Sequence, residues 1–272
     1  MKISVLMTVY IREIAPYLKE SIESILNQTV KADEIVIVKD GPVKDEINET
    51  LKYYEEKYPG FFKIITLEKN QGSGIASRIG IENCSYELVA RMDSDDISMP
   101  NRFEKELAYL KANPECRLIG TDHIEFTDEG REVYKKFPNN HDELVKFAKS
   151  RNPFSTPSVI MYREDVLAVG NYHDKMLFED YDMWIRLIVY GVKIYNIPEA
   201  LVKVRTTNGL YGRRGGKKYV RYTYRFYKGA VDIGFLNWFE AFPKVLYRSI
   251  IAIMPPFLRE WFYLNFLRKR IN

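Results

Sequence analysis

Short apolar runs ending in polar turns alternate with helical patterns through the first 120 residues. KISVLMTVY, EIVIVKD, FKIITL and ELVARMD have the length and β-branched content of strands. Between them, YLKESIESILNQ puts Leu18, Ile22, Ile25 and Leu26 on one helical face, and stretches at about 44–57 and 73–83 read as further helices. This alternation predicts an α/β fold, a mostly parallel sheet flanked by helices, in which ligands collect at the carboxyl ends of the strands. Tyr10, Asp40, the loop after Leu67, and Asp93 fall at such ends. Past residue 120 the strands read as shorter and mixed. A helix is expected at about 141–149, a strand in SVIMYR, and a strong helix in EDYDMWIRLIVYG closed by Gly191. From Thr206 the character changes: TTNGLYGRRGGKKY is glycine-rich and basic, and aromatic-rich helices broken by Pro243, Pro255 and Pro256 follow it.

Composition sharpens this picture at three points. The 272 residues are 46% hydrophobic, enough for a substantial core and against disorder. Cys84 and Cys116 have no metal-type or redox-type spacing, so they are expected as small buried hydrophobes in a reducing compartment. The net charge of +4 hides an asymmetry: 15 Lys and Arg after residue 202 face three acids, a net of +12, which leaves residues 1–202 at −8. No apolar window is long enough to span a bilayer, and the run Ile3 to Ile11 lacks a cleavage site and reads as a first strand. A cytoplasmic protein is the expectation.

The chemistry concentrates in two acidic clusters. In ARMDSDDISMP, Asp93 and Asp95 share one side if the strand continues, and these two carboxylates, with Ser94 between them, make a partial oxygen shell for Mg²⁺ or Mn²⁺. The alternative is an aspartate-rich turn in which Asp96 caps the helix that begins near Pro100. In FEDYDMW, the carboxylates Glu179, Asp180 and Asp182 open an amphipathic helix. They read either as acids favoured by the helix dipole or as the source of a lone general base. His123, His141 and His173 are too scattered for a metal site and are expected in surface or structural roles.

In order, SVLMTVY, VKDGP, NQGSGIASRIGI, ARMDSDD and FEDYDMWIRL resemble glycosyltransferase family 2, the inverting transferases of GT-A fold, over roughly residues 1 to 200. GLYGRRGG and the proline-broken segment resemble its bacterial exopolysaccharide and O-antigen branch. The resemblance implies a GT-A domain at 1–205, with a nucleotide-binding half at about 1–97 and an acceptor-binding half at 98–205. A basic loop and membrane-associating helical tail would follow at 206–272. It implies that Thr8 and Tyr10 line the nucleotide pocket and that Asp40 accepts the uracil imide N–H. Asn70, Arg78 and Ser94 would lie near the nucleotide, Asp93 would contact ribose or metal, and Asp95 would bind Mn²⁺ or Mg²⁺. Asp180 would be the base with Glu179 beside it, and Trp184 would lie on the acceptor side. Two positions depart from the family pattern: Ile79 stands where relatives often carry Asn, and Thr156 where many carry His.

The partners expected are therefore a nucleotide sugar, UDP-linked by preference, and a lipid-linked glycan acceptor. If 217–228 is helical, Lys218, Arg221, Arg225 and Lys228 form a cationic stripe beside an aromatic face of Tyr219, Tyr222 and Phe226. With Trp238, Phe239, Trp261 and Phe262 as anchors, that tail is expected on an anionic membrane surface, and Arg213 and Arg214 are expected at a diphosphate. A nucleic-acid-binding reading of KKYVRYTYRFYK leaves Asp40, Asp93, Asp95 and Asp180 unexplained, and the acidic N-terminal part would repel phosphates. A dinucleotide domain fails because TVYIRE holds no glycine. A catalytically silent nucleotide-sugar binder is the remaining alternative.

Overall fold

The computed structural model describes residues 1–174, 177–206, 215–255 and 258. Strands β1 (Ile3–Val9), β2 (Glu34–Lys39), β3 (Phe62–Thr66) and β4 (Leu88–Arg91) are joined through helices α1 (Ala15–Leu26), α2 (Asp45–Lys57) and α3 (Ser73–Asn83). They pair in parallel in the order β3-β2-β1-β4. Their continuous apolar runs follow from burial on both faces, because side chains alternate across a sheet. Val5, Met7, Ile35 and Ile37 pack under Leu18 and Ile22 of α1 and Leu51 of α2. Leu6, Val36 and Val38 face the other way, onto Ala76 and Ile81 of α3. At Gly80 a Cβ would fall 2.2 Å from Leu6 Cδ1, so glycine lets α3 settle against β1.

The second half extends the same sheet. It contains β5 (Ile97–Ser98), α4 (Arg102–Ala112), β6 (Cys116–Phe126), β7 (Glu132–Lys135), α5 (His141–Ala148), β8 (Ile160–Tyr162), α6 (Arg163–Ala168), α7 (Glu179–Tyr190) and β9 (Lys193–Arg205). The sheet continues from β4 as β8-β6-β9-β5, with β7 on β6; β6 and β9 run parallel, and the other pairings are antiparallel. As expected, strands past residue 120 are mixed in direction, and β7 and β8 are short at 4 and 3 residues, but β6 has 11 residues and β9 has 13. The reading missed β9 because Pro198 interrupts it. The ladder steps from Thr121–Ile197 to Asp122–Ala200, so Pro198 and Glu199 stand outside it and the missing N–H costs no ladder bond.

Helices α8 (Gly216–Asp232) and α9 (Trp238–Ile253) form a hairpin on α7. Two expectations are corrected here. The aromatic face of α8 is largely core: Tyr219, Phe226 and Tyr227 are buried with Phe178, Tyr181 and Ile185, and the Phe178 and Phe226 rings stack at 4.7 Å. Those rings are unavailable for stacking on bases or entering lipid. Pro243 does not break a helix; it lies inside α9, which runs on to Ile253. A capping box between Asn237 and Glu240 starts that helix. Both cysteines are free and buried, as expected, and burial pushes their thiols up to about 12. Among the described residues no helix is long and apolar enough to cross a membrane.

Candidate functional site

The carboxyl ends of β3, β2, β1 and β4 lie along one edge of the sheet, as parallel pairing requires. Asp40 follows β2 and is buried at 5% exposure. Its two carboxylate oxygens accept the backbone N–H groups of Gln71 at 2.6 Å and Gly72 at 2.9 Å, and the Asn70 side-chain amide donates to its carbonyl at 3.2 Å. Asp40 thus builds the loop that leads into α3. Gly41 allows the approach: it has φ +85°, and a Cβ there would lie 2.5 Å from the Asn70 nitrogen. Thr8 and Tyr10 are half-buried at the end of β1, next to this loop's anchor, since the Asp40 N–H donates to the Val9 carbonyl at 2.8 Å.

Around the end of β4 the structure assembles a charged cluster centred on Arg91, which is 3% exposed. Its Nη2 lies 3.7 Å from Asp93 Oδ1, its guanidinium stands 5.8 Å from the Tyr172 ring, and its Nε and Nη1 are buried without a hydrogen-bond partner. Asp180 enters from the first turn of α7 and accepts a hydrogen bond from Thr156 at 3.1 Å. Burial raises its carboxyl above the ordinary range, and the Arg91 cation opposes that rise. Asp93 lies beside that guanidinium with 43% of its side chain reaching solvent. Desolvation there and the charges of Asp95, Asp180 and Glu179 push it up, and Arg91 pulls it down. Glu179 accepts a hydrogen bond from the Ser73 hydroxyl while its Oε2 is buried without a partner, and it is raised by burial and then by Asp180. Gly74 lets these two helix starts meet: a Cβ there would fall 2.7 Å from the His173 carbonyl and 3.3 Å from Glu179 Cβ.

The aspartate-rich segment is a turn beyond β4, with the Asp96 N–H reaching the Asp93 carbonyl at 3.4 Å. Strand alternation therefore does not place Asp93 and Asp95 together, but the turn reproduces its outcome, leaving both half-exposed and burying Ser94 and Asp96. Asp96 does not cap α4, whose N-cap is Asn101; it accepts the Arg205 N–H at 2.8 Å. Arg205, at the end of β9, also donates to the Asp95 carbonyl at 3.0 Å, pairs with Glu20 and Asp128, and lies 3.9 Å from the Tyr17 ring. Ser94 donates to Glu13 at 2.7 Å, so its hydroxyl serves the turn.

Several expected residues lie elsewhere. Trp184 is fully buried, edge-on to Phe154 at 5.8 Å, so the acceptor-side expectation is corrected to a core role. Arg78 is exposed and paired with Glu82 at 3.3 Å. Asp182 is held by Arg186 at 2.8 Å and His173 at 3.1 Å, which leaves Asp180 and Glu179 as the acids of that motif facing the cluster. Arg213, Arg214, Trp261 and Phe262 lie outside the described residues. Arg91, Arg205, Glu13 and Tyr172 were missed by sequence reasoning. Only Arg91 carried a signal, a cation inside an apolar strand run.

Among the described residues no three His, Cys, Asp or Glu side chains are grouped to hold a metal ion. Asp93 and Asp95 supply hard oxygen donors beside an excess of negative charge. Two such carboxylates suit a hard divalent cation such as Mg²⁺ or Mn²⁺ but make only part of its shell.

The glycosyl transferase family 2 model matches residues 4–170. The amylovoran biosynthesis glycosyltransferase AmsE of Erwinia amylovora is 34% identical over 260 residues, covering 96% of this chain and 97% of AmsE. The UDP-Gal:alpha-D-GlcNAc-diphosphoundecaprenol beta-1,3-galactosyltransferase of Escherichia coli is 32% identical over 274 residues, covering 98% and 97%. Residues 1–349 of TarS from S. aureus, in complex with UDP-GlcNAc, match the structure with a TM-score of 0.70 at 16% identity, over all of this chain and 76% of that one. At that identity the likeness speaks for the fold, which is GT-A.

Proposed function

The chain belongs to glycosyltransferase family 2 and is a glycosyltransferase, and we propose that it moves one sugar, with inversion, from a UDP-linked donor to a lipid-linked acceptor in surface polysaccharide biosynthesis. The observation that carries this reading is the meeting of three features at one sheet edge: the Asp40-anchored loop, the Asp93–Asp95 turn, and Asp180 across Arg91. The names of the relatives support the polysaccharide setting, and the galactosyltransferase supports a UDP donor and a diphosphoundecaprenol acceptor.

In this reading the nucleotide half, about 1–97, holds the donor, with the base against Asp40, Asn70 and the end of β1. The acceptor half, 98–205, presents the acceptor hydroxyl. That oxygen attacks the anomeric carbon from the face opposite the nucleotide, its proton passes to Asp180, and the bond from the sugar carbon to the diphosphate breaks. The raised affinity of Asp180 for a proton suits it to this task. Thr156 fixes one of its oxygens, and Glu179, tied to Ser73, keeps the α7 start against α3. Arg91 offsets the charge of Asp93 and Asp180 before substrate arrives. A divalent cation held by Asp95 and Asp93 would neutralise the departing diphosphate. Arg213 and Arg214 are proposed to reach the same group. In support, they follow Arg205 in the chain by eight and nine residues, and the Arg205 main chain is bonded to Asp96.

Screening UDP, dTDP and GDP sugars by calorimetry, with and without Mn²⁺, followed by transfer to a lipid-diphosphate glycan, tests the reading. Metal-assisted UDP-sugar binding with transfer is expected. Binding without transfer to any acceptor would return the protein to a silent nucleotide-sugar binder, and no nucleotide binding would end the proposal.

A further inference from the structure

Among the described residues the outer face of α9 is apolar and uncovered. Phe239, Phe242, Leu246, Ile250 and Ile253 recur at helical spacing and are 93%, 62%, 49%, 52% and 68% exposed. Ala241, Ile251 and Ala252, on the opposite side, anchor the helix to the protein, so the exposed stripe makes no contribution to the core. A stripe of this length and composition is unusual on a protein meant to face water alone.

The neighbouring surface indicates what it meets. On α8 the face opposite buried Tyr219 and Phe226 carries Lys217, Lys218, Arg221, Arg225 and Lys228, all exposed, with Lys228 partly offset by Asp232. Tyr224 on α8 stacks on Trp238 at the start of α9, 6.4 Å between ring centroids, so the aromatic border joins the cationic face to the apolar stripe. Apolar residues flanked by aromatic rings and then by cations match the depth profile of one leaflet of an anionic bilayer. The same cations disfavour a second copy of this chain on the face, because a two-fold contact would bring like charges together.

We infer that α9 is the membrane-inserting surface of this protein, its stripe entering the acyl boundary of an anionic leaflet while the α8 cations lie at the headgroups. This rests on the reading of a lipid-linked acceptor, and it moves the apolar contact from the α8 rings to α9. The surface would set the sheet edge at a fixed height over the membrane in which such an acceptor is held.

Cosedimentation of the full chain with vesicles of phosphatidylcholine and phosphatidylglycerol in equal parts tests it. Phe239→Glu with Ile250→Glu should weaken binding at least about tenfold, since two buried apolar groups are replaced by charges repelled by the surface. Lys217→Ala with Arg221→Ala and Arg225→Ala should lower affinity by up to about fivefold per cation, and added salt should have the same effect. UDP binding and the melting temperature of every variant should match the parent, which separates this surface from the donor site. In Phe239→Trp, the added fluorescence should be quenched by acyl-brominated lipid. If the double glutamate variant sediments like the parent and Phe239→Trp escapes quenching, α9 is not the surface and peripheral attachment must lie elsewhere in the chain. If the parent itself does not sediment, membrane attachment fails with it, while UDP binding still reports on the transferase. Loss of a parent dimer in the glutamate variant, without vesicle binding by either, would make the stripe a seam between two copies and overturn the inference.

Discussion

Replacing Asp40 with Ala separates two roles that the structure superimposes on one side chain. Both carboxylate oxygens are bonded to backbone N–H groups of the loop at 2.6 and 2.9 Å, and the residue is 5% exposed. Hydrogen bonds to a charged group are each worth about 1.5–3 kcal/mol net. Gln71 is exposed and Gly72 half-exposed, so water can reach the freed N–H groups and the lower end of the range applies. The expected loss is about 3 kcal/mol, which moves the urea midpoint down by about 1 M for an m-value on the order of 3 kcal/mol per M. Calorimetry with uridine should show weaker binding as well, through a released loop and a lost imide contact. Gly41→Ala tells these causes apart, because it disturbs the same loop through the 2.5 Å approach to Asn70 and keeps the carboxylate. Equal loss of uridine affinity in both variants means that Asp40 acts through the loop; loss in Asp40→Ala alone means direct contact. A urea midpoint within error of the parent for Asp40→Ala would refute the claim that this carboxylate holds the loop.

Asp180→Asn should keep the fold and donor binding while lowering transfer at least about a hundredfold, the usual share of a general base. Because burial raises the Asp180 carboxyl, the parent's rate should climb with pH through an inflection above the usual carboxylate range of about 4, and that limb should vanish in the variant. Retained transfer would assign the proton to Glu179. Asp95→Ala should abolish the Mn²⁺-dependent part of UDP affinity in calorimetry and leave the metal-free part intact; an unchanged metal effect would move the cation elsewhere. Gly74→Ala should cost about 1–3 kcal/mol by thermal melt, since its Cβ would meet the His173 carbonyl, and should lower transfer by parting Ser73 from Glu179.

Much of the first half could be read from the chain because its signals are local. Two-sided apolar runs mark parallel strands buried between helix layers, Leu18, Ile22 and Ile25 mark the face of α1, and Gly191 closes α7 in the left-handed conformation with φ 99°. Those same elements, in order, bring Asp40, Asp93 and the turn after β4 to one edge without further information. The aromatic pattern of α8 was equally visible. Periodicity finds an apolar face but not what covers it, and the cover, Phe178 and Tyr181 at the start of α7, lies more than forty residues before Phe226.

What required tertiary structure was pairing between distant charges. Three aspartates within four positions pose a repulsion that the local sequence leaves unresolved. Arg91, two residues before Asp93, answers it for that carboxylate at the buried strand end, and the main-chain N–H of Arg205 bonds the Asp96 carboxyl from 109 residues away. Asp182, an equal candidate for the base by spacing, is taken by Arg186 one helical turn on and by His173 from outside the helix, which leaves Asp180 opposite Arg91. A side chain's type and spacing are properties of the chain. Its partner, its burial and so its affinity for a proton depend on which strand ends the sheet brings together, and those contacts exist only after the chain has closed.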